Sequence, residues 1–118
     1  MRPKVKEADV SFTIQDGLSK MGYRVFSTTV RGFYGGANGK GYGITKGVTD
    51  LLIGSDEWGP VLLPLEVKGP KTPLSSEQKD LYSKGLIYVA RSWEEAIAAV
   101  DNFEQLFGFA RRARRAMN

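Results

Sequence analysis

Two apolar runs, Val48–Gly54 and Val61–Lys68, stand on either side of Ser55-Asp56-Glu57-Trp58-Gly59-Pro60. Short runs rich in aliphatic and β-branched residues, separated by turn formers, read as the two strands of a hairpin. This pairing constrains the whole chain, because each run carries charge where a buried strand should carry none. The first holds Asp50 in Thr49-Asp50-Leu51-Leu52-Ile53, and the second holds Glu66 and Lys68 in Leu65-Glu66-Val67-Lys68. Burying an ion costs several kcal/mol unless the ion is paired or bound. Side chains alternate faces along a strand, so Glu66 and Lys68 share one face, about 7 Å apart, while Leu65 and Val67 point to the core. In a hairpin Asp50 can come beside Glu66. Adjacent carboxylates repel unless a cation lies between them. A divalent metal held by both, with Lys68 next to it, resolves the electrostatics and makes a hydrolytic site. The alternative is a solvated Glu66–Lys68 ion pair at a sheet edge, worth little. Strand spacing alone leaves both open.

The remaining elements follow from periodicity. Val10, Ile14, Leu18 and Met21 predict an amphipathic helix within Val5–Met21, with Gly22 as its stop. Tyr23–Val30 reads as a strand. The glycine-dense stretch Gly32–Gly47 cannot be a helix and reads either as a clamping loop or as a merely flexible surface loop. After the E-x-K strand, Ser75 and Gln78 form a capping box opening a helix that Gly85 ends. Leu86–Ala90 is a short strand, and Ser92 with Glu95 forms a second capping box before Ala96, Ile97 and Val100. The order α-β-β-β-α-β-α predicts an α/β domain with a mixed central sheet flanked by helices. Its 118 residues suggest one domain, with a core over about 6–100 and a basic C-terminal segment over 103–118.

Composition excludes much chemistry. The chain has no histidine, which removes Ser-His-Asp catalysis and histidine-based nucleases. It has no cysteine, hence no disulfide and no thiolate metal site. Hydrolysis would have to run on carboxylates, lysine, tyrosine and oxygen-preferring ions such as Mg²⁺ or Mn²⁺. No apolar stretch approaches the roughly 20 residues that span a bilayer, and no secretory signal pattern opens the chain. An intracellular, cytoplasmic protein is the expectation. A net charge of +4 and a pI near 9.4 favour an anionic partner.

Gly47-Val48-Thr49-Asp50, Glu66-Val67-Lys68 and Gln78-Lys79-Asp80-Leu81-Tyr82 resemble, in that order, the motifs of the PD-(D/E)XK nuclease superfamily. More narrowly, they are similar to its VRR-Nuc branch of small virus-type and repair-associated nucleases. Glu7 in "KEADVSFTI", "TPLSSEQ" and "GLIYVARSWEEAI" extend the resemblance over about Lys6–Val100. Thr49 departs from the pattern, which usually has proline before the aspartate; threonine also enters extended backbone readily.

The resemblance implies a restriction-endonuclease-like core and a metal-dependent DNA endonuclease, structure-selective for branched DNA and working as a homodimer. Asp50 and Glu66 would be metal ligands, with the Val67 carbonyl a third and Glu7 reaching the metal directly, through water or by way of a second ion. The plainer role of Glu7 is that of a solvated first-turn glutamate favoured by the helix dipole. Lys68 would position the attacking water and neutralise charge on the phosphate. Gln78 and Tyr82, four apart on one helix face, would line the site and hold the substrate. Gln78 has a plainer role as the closing residue of its capping box, and Tyr82 one in core packing. A non-catalytic nucleic-acid-binding module and a sequence-specific restriction-type enzyme are the rival functions.

Basic residues outside the motifs suggest how DNA would be held. Arg31, Lys40 and Lys46 offer phosphate contacts from the glycine-rich loop, and Tyr34 and Tyr42 offer stacking. A Walker reading of "GANGKG" fails, because Lys40 is followed by Gly41 rather than Ser or Thr. Arg111, Arg112, Arg114 and Arg115 form a terminal basic cluster for backbone phosphates or for plain solvation. Phe103, Leu106, Phe107 and Phe109 present apolar surface that a dimer would bury, or that folds back onto the sheet.

Overall fold

A computed structural model describes residues 6–28 and 49–117. The readings at Arg31, Tyr34, Lys40, Tyr42 and Lys46, and the glycine-rich loop that carries them, lie outside the described residues.

Helix α1 spans Glu7–Lys20, and its periodic Val10, Ile14 and Leu18 are all buried. It ends at Gly22, whose φ of 94° is a left-handed conformation that a Cβ would strain. Strand β1 (Arg24–Ser27) then pairs antiparallel with β2 (Leu51–Gly54), and β2 pairs antiparallel with β3 (Leu63–Val67). A helix α2 (Ser76–Ser83) leads to β4 (Tyr88–Ala90), which lies parallel to β3. Helix α3 follows over Trp93–Leu106. The protein is therefore α/β, with a four-stranded mixed sheet in the order β1-β2-β3-β4, flanked by helices. Among the described residues no helix is long and apolar enough to cross a membrane.

The hairpin register pairs Leu51 with Leu65 and Ile53 with Leu63. These residues and Val67 share one face, and the buried side chains of α1 and α3 join them in a single core. Pro64 sits in β3, an interior strand, where proline normally deletes a ladder bond. Its ring nitrogen faces β4, as the Lys68 N–H does in donating to Ala90, and the β4 pairing begins only at Leu65. No ladder donor is lost there.

The helix starts are set by side-chain caps. Ser75 Oγ accepts from Gln78 N–H at 3.2 Å, and Gln78 Oε1 accepts from Ser75 N–H at 2.9 Å. At α3 the box expected between Ser92 and Glu95 is shifted. Ser92 Oγ accepts from Glu95 N–H at 3.1 Å, but the Glu95 carboxylate reaches Arg91 N–H, one residue earlier, at 2.9 Å. Helix α2 has no buried residue at all.

The segment expected to begin a basic tail at Phe103 starts as the last turn of α3. Phe103 is buried, and Phe109 returns after the helix to pack against the core. Trp58, in a single 3₁₀ turn between β2 and β3, gathers them: its ring centroid lies 4.8 Å from Phe103, 5.8 Å from Phe109 and 5.5 Å from Tyr23. The chain thus folds back here, while Leu106 and Phe107 stay 71% and 54% exposed.

Candidate active site

The charged residues of the hairpin meet. Continuing the β2–β3 register by one pair sets Asp50 opposite Glu66. Glu66 Oε1 accepts from the Asp50 N–H at 3.3 Å, and Asp50 Oδ2 accepts from the Val67 N–H at 3.3 Å. The second Glu66 oxygen, Oε2, lies 3.3 Å from Lys68 Nζ. Thr49, in place of the usual proline, is buried and donates its hydroxyl to the Leu51 carbonyl at 3.0 Å, holding the entry to β2. A residue's own N–H and C=O leave a strand on the same side. Val67 therefore turns its carbonyl toward Asp50.

The solvated edge ion pair is not what forms. Strand β3 is interior, and the Glu66 and Lys68 side chains are only 4% and 14% exposed. Burial, with the Asp50 charge second, pushes the Glu66 carboxyl above its usual range, and Lys68 only partly opposes this. Among the described residues one ammonium faces two carboxylates, which leaves that set short of positive charge. Two carboxylates and a carbonyl are hard oxygen donors, and Mg²⁺ is commonly held through one or two carboxylates while keeping several waters. The residues fit Mg²⁺ or Mn²⁺.

Glu7 lies at the start of α1, exposed, and shares with Asp50 a cavity of about 230 Å³ also lined by Ser11, Gln15 and Ser27. It does not join Asp50 and Glu66 in a carboxylate cluster: among the described residues no group of three metal-ligating side chains is found. The carboxamide oxygen of Gln78 is committed to its capping box, as its plainer role required. Among the described residues no hydrogen bond ties Gln78 or Tyr82 to Asp50, Glu66 or Lys68. Tyr82 is exposed on α2, so it does not pack in the core.

The basic cluster divides. Arg111 forms a two-pronged pair with Asp101, Nε at 3.0 Å and Nη2 at 2.8 Å, which holds the Asp101 carboxyl below its usual range. Arg112 pairs with Glu57, donates to the Met21 carbonyl at 3.4 Å and lies 5.2 Å over the Tyr23 ring. Arg114 and Arg115 are exposed. Sequence reasoning missed the carboxylates that hold this segment. Glu104 is 1% exposed, and accepts from Tyr23 Oη at 2.8 Å and from Ala113 N–H at 2.9 Å. One signal was present: Glu104 falls at i+7 from Ile97 and i+4 from Val100, on the apolar stripe of α3.

Comparison with protein-family models, with curated proteins and with solved structures finds no match.

Proposed function

We propose that this chain is a metal-dependent endodeoxyribonuclease of the PD-(D/E)XK kind, close to the VRR-Nuc branch, that hydrolyses phosphodiester bonds. The observation that carries the reading is the Asp50–Glu66–Lys68 cluster, in which the buried Glu66 carboxylate takes the Asp50 N–H on one oxygen and the largely buried Lys68 ammonium on the other. Asp50, Glu66 and the Val67 carbonyl would hold Mg²⁺ or Mn²⁺, with Glu7 reaching it through water. When bound, the ion supplies an acidified water and polarises a phosphoryl oxygen. Lys68 lies on the other Glu66 oxygen, where its ammonium neutralises charge building on the phosphate. The main-chain bonds from Asp50 and Val67 fix both carboxylates before substrate arrives, so little reorganisation is needed.

Exposed Tyr82 on α2, together with Lys79 of the same helix, offers one stacking and one phosphate contact to DNA. Arg114 and Arg115 add two further exposed cations. The exposed Leu106 and Phe107 support self-association, which would set two sites on one branched DNA.

The test is cleavage of linear duplex, flap, single-stranded and four-way-junction DNA in Mg²⁺ and in Mn²⁺. Cutting that is fastest on a branched substrate and absent in chelator is the expected result. A pure, folded protein that cuts none of these with either ion overturns the proposal.

A further inference from the structure

We infer that Arg91 is a positioning residue of the proposed active site: its guanidinium clamps the turn that joins Lys68 to the DNA-facing helix α2. The inference rests on the nuclease reading for its catalytic consequence and on geometry alone for the clamp.

Arg91 follows β4 directly, and β4 lies beside β3 so that the Lys68 N–H donates to the Ala90 carbonyl at 3.0 Å. From that position Arg91 Nη1 donates to the Gly69 carbonyl at 2.8 Å and to the Thr72 carbonyl at 2.6 Å. These two carbonyls bound the turn immediately after Lys68. The turn has a weak closure of its own, Thr72 N–H to Gly69 carbonyl at 3.3 Å, and Pro70 and Pro73 bring no N–H to it. The shorter, charge-assisted bonds to Arg91 are the stronger restraint. Arg91 is itself held, since its own N–H donates to the Glu95 carboxylate in the first turn of α3.

The clamp reaches both sides of the site. A Cβ on Gly69 would meet Thr72 Oγ1 at 3.1 Å and Glu7 Cβ at 3.8 Å, so the turn runs close beside the residue that opens α1. On the other side, the same turn leads into α2, which buries no residue of its own. An arm without core contacts takes its position from its attachment. Arg91 therefore sets where Lys68 leaves β3 and where α2 presents Tyr82.

The experiment compares wild type with Arg91→Ala and Arg91→Lys, full-length in each case. Amide hydrogen exchange of Arg91→Ala should rise at least tenfold over residues 69–84 and stay unchanged over 7–20 and 93–106. Cleavage should lose about 10- to 100-fold in kcat, with DNA affinity in Ca²⁺ much less affected. Arg91→Lys, which keeps the charge and a single multi-donor nitrogen but on a differently shaped side chain, should recover part of the kcat loss. Added guanidinium ion at non-denaturing concentration should recover part of it in Arg91→Ala while leaving wild type unaffected. Wild-type exchange over 69–84 in Arg91→Ala overturns the clamp. Unchanged kcat, or a loss with exchange raised equally in every helix and no recovery, overturns the positioning role. A wild type that fails to cleave removes the nuclease reading instead, and the exchange arm still decides the clamp.

Discussion

The phenol of Tyr23 donates a 2.8 Å hydrogen bond to the buried carboxylate of Glu104, across 81 residues of sequence. Burial first, and the bond to Glu104 second, push the Tyr23 phenol well above its usual range. Tyr23→Phe removes the donor and strands one buried carboxylate oxygen, so unfolding in urea should show a loss of about 1–3 kcal/mol. Because the folded pKa is raised, this contribution is complete below about pH 10, the ordinary phenol value, and fades above it. Alkaline titration should show Tyr23 ionising only as the protein unfolds. A Tyr23→Phe protein as stable as wild type would show that the contact contributes nothing.

Glu66 gives the opposite end of the pH scale. Its raised carboxyl pKa means that the folded chain binds more protons than the unfolded one just above the ordinary carboxylate range. Stability therefore declines as pH rises through that window, and Glu66→Gln should flatten the decline. A bound divalent ion favours the charged carboxylate and expels the proton. Mg²⁺ titrated by calorimetry in buffers of different ionisation enthalpy should report proton release near the raised pKa, and Glu66→Gln should abolish it. Buffer-independent heats in the wild type would mean that no ion binds at Glu66.

Asp50→Asn and Lys68→Ala should each lower cleavage in Mg²⁺ by about 100-fold or more. The two differ in the fold. Asp50→Asn keeps an oxygen for the Val67 N–H and should leave the melting temperature close to wild type. Lys68→Ala strips the ammonium partner from a buried Glu66, raises that carboxyl further, and should lower stability at neutral pH more than at acid pH. Equal melting curves for the two variants at both pH values would contradict the burial of this pair.

The arginines near the C-terminus should separate into two kinds. Removing Arg114 or Arg115 should flatten the plot of log DNA affinity against log salt by roughly 0.9 each for duplex DNA. Removing Arg111 or Arg112 should instead lower the unfolding midpoint, since Asp101 and Glu57 lose their partners. Four variants with the same effect on the salt slope would return all four to the DNA interface.

Gly17→Ala tests the helix packing. A Cβ there would lie 2.4 Å from Trp93 Cζ3, closer than atoms approach. Helix propensity favours alanine by about 1 kcal/mol, but overpacking of this kind costs about 1–3 kcal/mol. The substitution should therefore destabilise, and Trp93→Leu in the same chain should relieve it. A rise in melting temperature for Gly17→Ala alone would contradict the close approach of α1 and α3.

What could be read from the sequence were features carried by local pattern. Val10, Ile14 and Leu18 announced α1, the apolar runs announced the β2–β3 hairpin, and one acid in each run announced that Asp50 and Glu66 would meet. What escaped reading was set by distant partners. Glu104 and Tyr23 find each other across the fold, and nothing near Arg111 says that Asp101 will take its guanidinium. Trp58, placed among turn formers, reads as a loop residue and becomes the centre of an aromatic cluster. Arg91 lies within the resembling segment Gly85–Ile97, yet nothing there marks its role, because two backbone carbonyls are its partners and backbone leaves no mark in sequence.

The arm formed by α2 separates two kinds of change. Substitutions on its surface alter what the protein touches without opening a cavity, because none of its side chains fills the core. New target preferences could accumulate there at almost no cost in folding stability, provided that the turn beneath it stays in place. The same independence makes α2 the segment to randomise in a library. The sheet and its paired carboxylates would pass unchanged through every such library.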